Sequence, residues 1–175
     1  LGFWNYGDEY KVMGMAAYGR PTKKEQIMEL ISTDDNGKFA LNTKFFLHSS
    51  EGVSMEFDGG YPKIGQTFSK ELIKLLGPSR SKEDAIDQRH KDIACSTQAV
   101  YEKVLFHILK HLNQRYPGVN KICLAGGCAQ NSLANGKITS NSSFKDVWVQ
   151  PAAGDAGGAI GSALHFSNMS QRKER

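Results

Sequence analysis

A chain of 175 residues that is 39% hydrophobic, 23% charged and 10% aromatic carries enough apolar material for one ordinary folded domain, or a large piece of one, and excludes a disordered or fibrous protein. Lys and Arg number 22 against 18 Asp and Glu. Part of that excess lies in 171–175 and the remaining charge alternates in sign, so the concentrated basic surface that a phosphate backbone requires is lacking and no nucleic-acid partner is expected.

No membrane span is expected, because the weakly charged stretch 122–144 is interrupted by Lys137 and by glycine, serine and asparagine, short of the roughly 20 apolar residues a helical span needs. Cys95, Cys123 and Cys128 cannot all pair within one chain, and none has the Cys-x-x-Cys spacing of a zinc or redox site. A reduced, cytoplasmic setting is expected. The chain opens on Leu1 in sequence that already reads like the middle of a domain, and it is taken as a fragment of a longer protein.

In chain order, the aromatic, glycine-punctuated opening 1–7 leads into a short helix over Tyr10–Ala17, with Asp8 placed to cap it, Gly19 to end it and Pro21 to keep it from resuming. A second short helix is expected from Lys23 to Ile31, then a turn at Asp34-Asp35-Asn36-Gly37 and a strand at Lys38–Leu41. Phe45-Phe46-Leu47 reads as a further strand. Residues 49–66 are glycine-rich with little periodicity and read as a long loop or peripheral insertion; the peripheral strands and loop together cover 37–66.

Ser69–Leu76 is helical, Gly77-Pro78-Ser79-Arg80 breaks it, and the longest helix runs from about Lys82 to Arg115. Ile93, Thr97, Val100, Tyr101, Val104, Ile108 and Leu112 mark its buried stripe. Next come a short buried strand at Lys121–Ala125, a Gly126-Gly127 bend and a helix over Ala129–Ile138. A second strand at Val147–Val149, a small-residue bend at Pro151–Gly158 and a final helix over Ala159–Phe166 complete an α/β order that predicts a buried parallel pair.

Gly126 and Gly127 stand where a strand hands over to a helix. Glycine there either makes a tight turn and nothing more, or lets a ligand reach the backbone, with a helix N-terminus offering free N–H groups to a phosphate or ribose. Neither GxxxxGK[ST] nor GxGxxG is present. Asn131, one turn on, either caps locally or hydrogen-bonds a sugar or phosphate.

Asp155 is one carboxylate among small residues at the C-terminal edge of the second strand, the edge where open α/β sheets bind ligands. It either caps the last helix, a role worth about 1 kcal/mol, or holds a divalent cation. Asp8, Glu9 and Lys11 suit ribose hydroxyls and phosphate, and equally suit an ordinary helix start. His107 and His111, four apart on one helical face, have metal-ligand spacing but no third ligand near in sequence, and read as core-edge histidines. His48, His90 and His165 are singletons.

Four phrases carry a resemblance: Gly7-Asp8-Glu9-Tyr10-Lys11-Val12-Met13-Gly14-Met15-Ala16-Ala17-Tyr18-Gly19, His90-Lys91-Asp92-Ile93-Ala94-Cys95-Ser96-Thr97-Gln98, Leu124-Ala125-Gly126-Gly127-Cys128-Ala129-Gln130-Asn131-Ser132-Leu133-Ala134-Asn135-Gly136 and Pro151-Ala152-Ala153-Gly154-Asp155-Ala156-Gly157-Gly158-Ala159-Ile160-Gly161-Ser162-Ala163. In this order, across almost the whole chain, they resemble the O-carbamoyltransferases of nodulation-factor and antibiotic biosynthesis. The resemblance implies an α/β fold of the actin-like ATPase (ribonuclease H-like) class, a mixed sheet flanked by helices. Residues 1–175 would be the second half of the actin-like domain, without its N-terminal half or the YrdC-like domain.

The resemblance further implies ATP and carbamoyl phosphate as substrates and a carbamoyl-adenylate intermediate, with transfer of the carbamoyl group to the hydroxyl of a small acceptor. A divalent metal such as iron is implied as cofactor, and a homodimer is compatible with it. Carried over by motif position, Gly126, Gly127 and Asn131 contact the adenylate, Glu9 and Lys11 line the nucleotide side, and Asp155 ligates the metal. The family's His-x-x-x-His precedes the Gly7–Gly19 phrase and has no counterpart here, so the fragment alone is expected to be inactive. The alternatives are another actin-like enzyme, a tRNA threonylcarbamoyl transferase or a sugar kinase, and a non-catalytic nucleotide-binding module.

Overall fold

The computed structural model describes residues 1–3, 5 and 7–172, with the backbone alone for Tyr61 and 170–172. Trp4 and Tyr6 of the aromatic opening, and 173–175 of the basic end, lie outside the described residues. The chain divides into two compact units, Leu1–Leu112 and Asn113–Arg175. No described helix is long and apolar enough to cross a membrane.

The first unit begins with α1 (Tyr10–Ala16) and α2 (Lys24–Met28). Asp8 does not cap α1. Its carboxylate turns back to accept the Asn5 N–H at 3.2 Å and pairs with Lys11 at 2.6 Å, while Glu9 occupies the cap position with helical backbone and no side-chain bond. The expected extension of α2 to Ile31 is replaced by a strand. β1 (Ile31–Thr33) and β2 (Phe39–Leu41) pair antiparallel around 34–38, because β-branched residues favour extended backbone and Asp34 Oδ1 closes the turn by accepting the N–H groups of Asn36 and Lys38 at 2.9 and 2.8 Å.

Two further strand expectations change. Thr43–Phe45 is a 3-10 turn, with Asn42 Oδ1 accepting the Lys44 N–H, and Phe46 keeps only an isolated bridge to Phe68. The 49–66 segment contains an antiparallel hairpin, β3 (Met55–Asp58) and β4 (Tyr61–Ile64). Gly59 and Gly60, at φ 58° and 87°, supply the two positive-φ positions of a tight hairpin turn that the loop reading missed.

α3 (Lys70–Leu76) forms as expected, with Ser69 Oγ accepting the N–H groups of Glu71 and Leu72. α4 (Gln88–Arg115) starts later than Lys82. Asp84 ties the preceding turn to the Ser81 N–H at 2.8 Å, and Asp87 Oδ1 accepts the His90 N–H at 3.0 Å, a side-chain cap that fixes the helix start. Ile93, Val100 and Val104 of the expected stripe are buried with Ile27 in one core cluster, against which Leu1, Met28, Ile31, Leu76 and Ile108 pack. Thr97 and Tyr101 are half-buried, and Leu112 is exposed.

In the second unit β5 (Lys121–Leu124) and β6 (Asp146–Val149) form the expected parallel pair, in register from Lys121↔Asp146 to Leu124↔Val149. The strands are not fully buried. Ile122, Leu124, Val147 and Val149 are half-buried, while Cys123 and Trp148, direct partners on the opposite face, are exposed. The connection is not one helix over 129–138. It is a 3-10 turn at Gly127–Gln130, then α5 (Ser132–Asn135) and α6 (Ile138–Asn141), because Asn131 leaves helical geometry to cap α5. Ala129, Ala134, Ile138, Phe144 and Ala153 are buried. α7 (Gly157–Arg172) is longer than the expected Ala159–Phe166. Among the described residues antiparallel and parallel pairing thus both occur, in three separate two-stranded sheets.

Candidate functional site

The second unit brings its two small-residue bends side by side. The Gly126 N–H donates to the Ala153 carbonyl at 2.7 Å, and a Cβ on Gly154 would stand 3.3 Å from Gln130 Nε2. Gly126 has φ 94° with nothing within 4 Å of its Cβ position, and the space at Gly127 is likewise open. The bend therefore needs glycine for its conformation and leaves its backbone approachable from one side. The second bend is held by Gln150, whose Oε1 accepts the Ala152 N–H at 3.1 Å and whose Nε2 donates to the Ala152 carbonyl.

Asp155 lies two residues beyond Ala153, a reach of at most about 7 Å along the chain. Its side chain is exposed, and no described residue donates to its carboxylate, so helix capping does not account for it. Asn131 Oδ1 accepts the Ala134 N–H at 3.0 Å and so caps α5. The expected helix N-terminus behind Gly127 is a four-residue 3-10 turn, too short to carry an appreciable macrodipole.

The first unit holds Glu9 and Lys11. Glu9 is exposed. Lys11 Nζ sits 2.6 Å from Asp8 Oδ1 and 6.0 and 5.9 Å from the ring centroids of Phe3 and Tyr10. The hydrogen bond from Lys11 holds the Asp8 carboxyl below its usual range, and the same bond raises the Lys11 ammonium above its own. A groove of about 580 Å³ runs along this helix, lined by Phe3, Tyr10, Lys11, Gly14, Met15 and Tyr18, with Ile86 and Lys91 opposite.

Tyr10 and Gly14, four apart, share one face of α1, and Tyr18, just past the helix end, lines the same groove. The phrase His90–Gln98 also has a role that spacing did not disclose. Asp92 Oδ1 accepts the Arg20 N–H at 2.9 Å, and Ser96 Oγ accepts the Lys23 N–H at 2.9 Å. His90 is buried, with Nδ1 2.6 Å from Asp87 and Nε2 3.0 Å from Arg89; burial lowers its pKa against the opposing pull of the Asp87 carboxylate.

No three His, Cys, Asp or Glu side chains gather to hold an ion among the described residues. Asp155 is a single donor, and a divalent cation needs several, so these residues do not by themselves make a metal site. His107 and His111 meet edge to face at 4.7 Å between ring centroids, and His107 Nε2 is buried without a hydrogen-bond partner, an arrangement for packing.

Helices, short strands and the two glycine-containing bends define an α/β protein. Residues 1–164 match the family described as Carbamoyltransferase N-terminus, and the chain belongs to that family. It is 39% identical over 176 residues to the Synechocystis protein sll1178, covering 99% of this chain and 26% of that protein. It is 37% identical to the Nodulation protein NolNO of Sinorhizobium fredii, covering 95% of this chain and 21% of that protein. With the Nodulation protein NolO of Bradyrhizobium diazoefficiens it shares 35% identity over 92% of this chain and 25% of that protein. The chain thus spans about a quarter of the length of these curated relatives.

Proposed function

We propose that this chain is part of an actin-like domain of an ATP-dependent O-carbamoyltransferase, in which a carbamoyl group passes from carbamoyl-adenylate to the hydroxyl of a small acceptor. The acceptor oxygen attacks the carbamoyl carbon, its hydroxyl proton is released to water, the bond from that carbon to the adenylate oxygen breaks, and AMP leaves with the electron pair. The observation that carries this reading is the Gly126 to Ala153 hydrogen bond, which sets the approachable backbone of Gly126-Gly127 beside the bend that ends on Asp155, within a family whose description names carbamoyl transfer.

Gly126 and Gly127 admit the adenylate to the backbone, and Asn131 holds the turn beneath it. By motif position, Lys11 would neutralise nucleotide phosphate and Glu9 would line the nucleotide. By the same motif position Asp155 would give one carboxylate oxygen to a divalent cation, which would supply Lewis-acid stabilisation of developing negative charge. Family membership favours this reading over a sugar kinase. Incubating the intact protein with ATP, carbamoyl phosphate and an acceptor is expected to release AMP and carbamoylate the acceptor; ADP with a phosphorylated acceptor would instead indicate a kinase.

A further inference from the structure

The phrases Gly7–Gly19 and His90–Gln98 are locked together by one side chain. Asp92 Oδ1 accepts the Arg20 N–H at 2.9 Å and the Gln88 amide at 2.8 Å, and Oδ2 accepts the Thr22 hydroxyl at 3.2 Å. Gln88 also donates to the Tyr18 carbonyl at 3.3 Å. Ser96, fully buried, accepts the Lys23 N–H at 2.9 Å and donates to the Asp92 carbonyl at 2.6 Å. These bonds leave the segment from Tyr18 to Lys23 no freedom to slide along α4.

There is also no slack between the two elements. A Cβ on Gly19 would stand 2.0 Å from the Lys91 carbonyl oxygen. The end of α1 passes this constraint back along the helix, since the N–H groups of Tyr18 and Gly19 donate to Met15 and Ala16 at 3.0 and 3.3 Å. Tyr10, Lys11, Gly14 and Tyr18 form one side of the groove and Lys91 lines the other. Asp92 stands beside Lys91 and grips the far end of α1.

We propose that Asp92 is a positioning residue: through the segment it anchors, it fixes the separation of α1 from Lys91 and so the placement of Lys11 toward the nucleotide. This rests on the reading that Lys11 faces nucleotide phosphate. Asp92 touches no substrate in this scheme, and its carboxylate is committed to three donors, the Arg20 N–H, the Gln88 amide and the Thr22 hydroxyl, whose donation, led by the Arg20 N–H, holds its pKa below the usual carboxylate range. An anchor of this kind acts on binding of one substrate more than on the chemical step.

The test compares Asp92→Ala, Asp92→Asn, Thr22→Ala and Lys11→Ala in the intact protein, measuring kcat and KM for ATP and for carbamoyl phosphate with thermal melting beside them. Asp92→Ala is expected to raise KM for ATP about fivefold or more, with kcat and KM for carbamoyl phosphate within about twofold. Asp92→Asn, which keeps one carbonyl oxygen for Arg20, is expected to recover most of the affinity. A loss of folded enzyme that lowers kcat and leaves both KM values alone would overturn the positioning role. If Asp92→Ala does not fold, Thr22→Ala carries the test, with a smaller rise in KM for ATP in support and no rise against. If Lys11→Ala raises KM for ATP and the anchor variants do not, the proposal fails and the nucleotide reading stands. If none of them raises it, both fail.

Discussion

The first unit uses the polar residues of its second motif to hold the end of its first, whereas the second unit leaves Gly126, Gly127 and Asp155 open. Asp92, Ser96 and Gln88 spend their polar atoms on the backbone of 18–23, and Gly19 is a glycine because a carbonyl fills the space a Cβ would need. At the second site the bends are joined backbone to backbone, from Gly126 to Ala153, and around Gly126, Gly127 and Asp155 there is open space or solvent. The difference separates two reasons for a short, small-residue motif. One holds two elements at a fixed distance, and the other keeps a surface bare for something to approach.

Substitution should break this comparison unequally. The largest expected effect is on activity alone: Asp155→Ala in the intact protein should lower carbamoyl transfer on the order of a hundredfold or more and reduce bound divalent metal, while changing stability by less than about 0.5 kcal/mol because the side chain is exposed. Transfer at the parental rate would remove Asp155 from the site. Gly19→Ala should act the opposite way, costing about 3 kcal/mol in urea unfolding because the added methyl meets backbone that cannot give way. An unchanged unfolding midpoint would show that α1 and α4 have slack.

Gly126→Ala should cost less, about 1 to 2 kcal/mol, since its Cβ meets nothing and only the positive φ is strained; a rise in KM for ATP beyond that seen at Gly118, which has φ 84° and similarly open space, would mark the bend as a ligand surface. The smallest effect concerns pH. Asp8 and Asp92 both have lowered folded pKa values, from Lys11 and from the Arg20 N–H first. Their contribution is therefore full above the unfolded carboxylate value and is lost as pH falls below it through the folded values. Acid titration of unfolding should show a shallower loss in Asp92→Asn than in the parent below about pH 4.

Much of the second unit was legible because its signals are local. Val147-Trp148-Val149 and Lys121–Leu124 are short apolar runs bounded by glycine and proline, and the connection between them is long enough to cross from one parallel strand to the next. The Asn131 break was not legible, since a capping asparagine and a ligand-binding asparagine look alike in sequence. The β3–β4 hairpin was missed for a different reason: Met55-Glu56-Phe57-Asp58 does alternate apolar and polar residues, but over only four positions in a glycine-rich stretch, too few to separate a strand from a loop, and the strand is exposed along its whole length.

Local chemistry by itself determined where the long helix runs, where the chain bends on glycine, and which residue types stand at those bends, because capping, turn geometry and apolar periodicity act over a few residues. Only the tertiary structure decided that Asp92 grips a segment 70 and more positions away, that Gly126 meets Ala153, and that Tyr10, Lys11 and Tyr18 share a groove with Lys91. Those arrangements depend on which surfaces pack together, and hydrogen bonds between distant parts of a chain form only after packing has brought their donors and acceptors within reach.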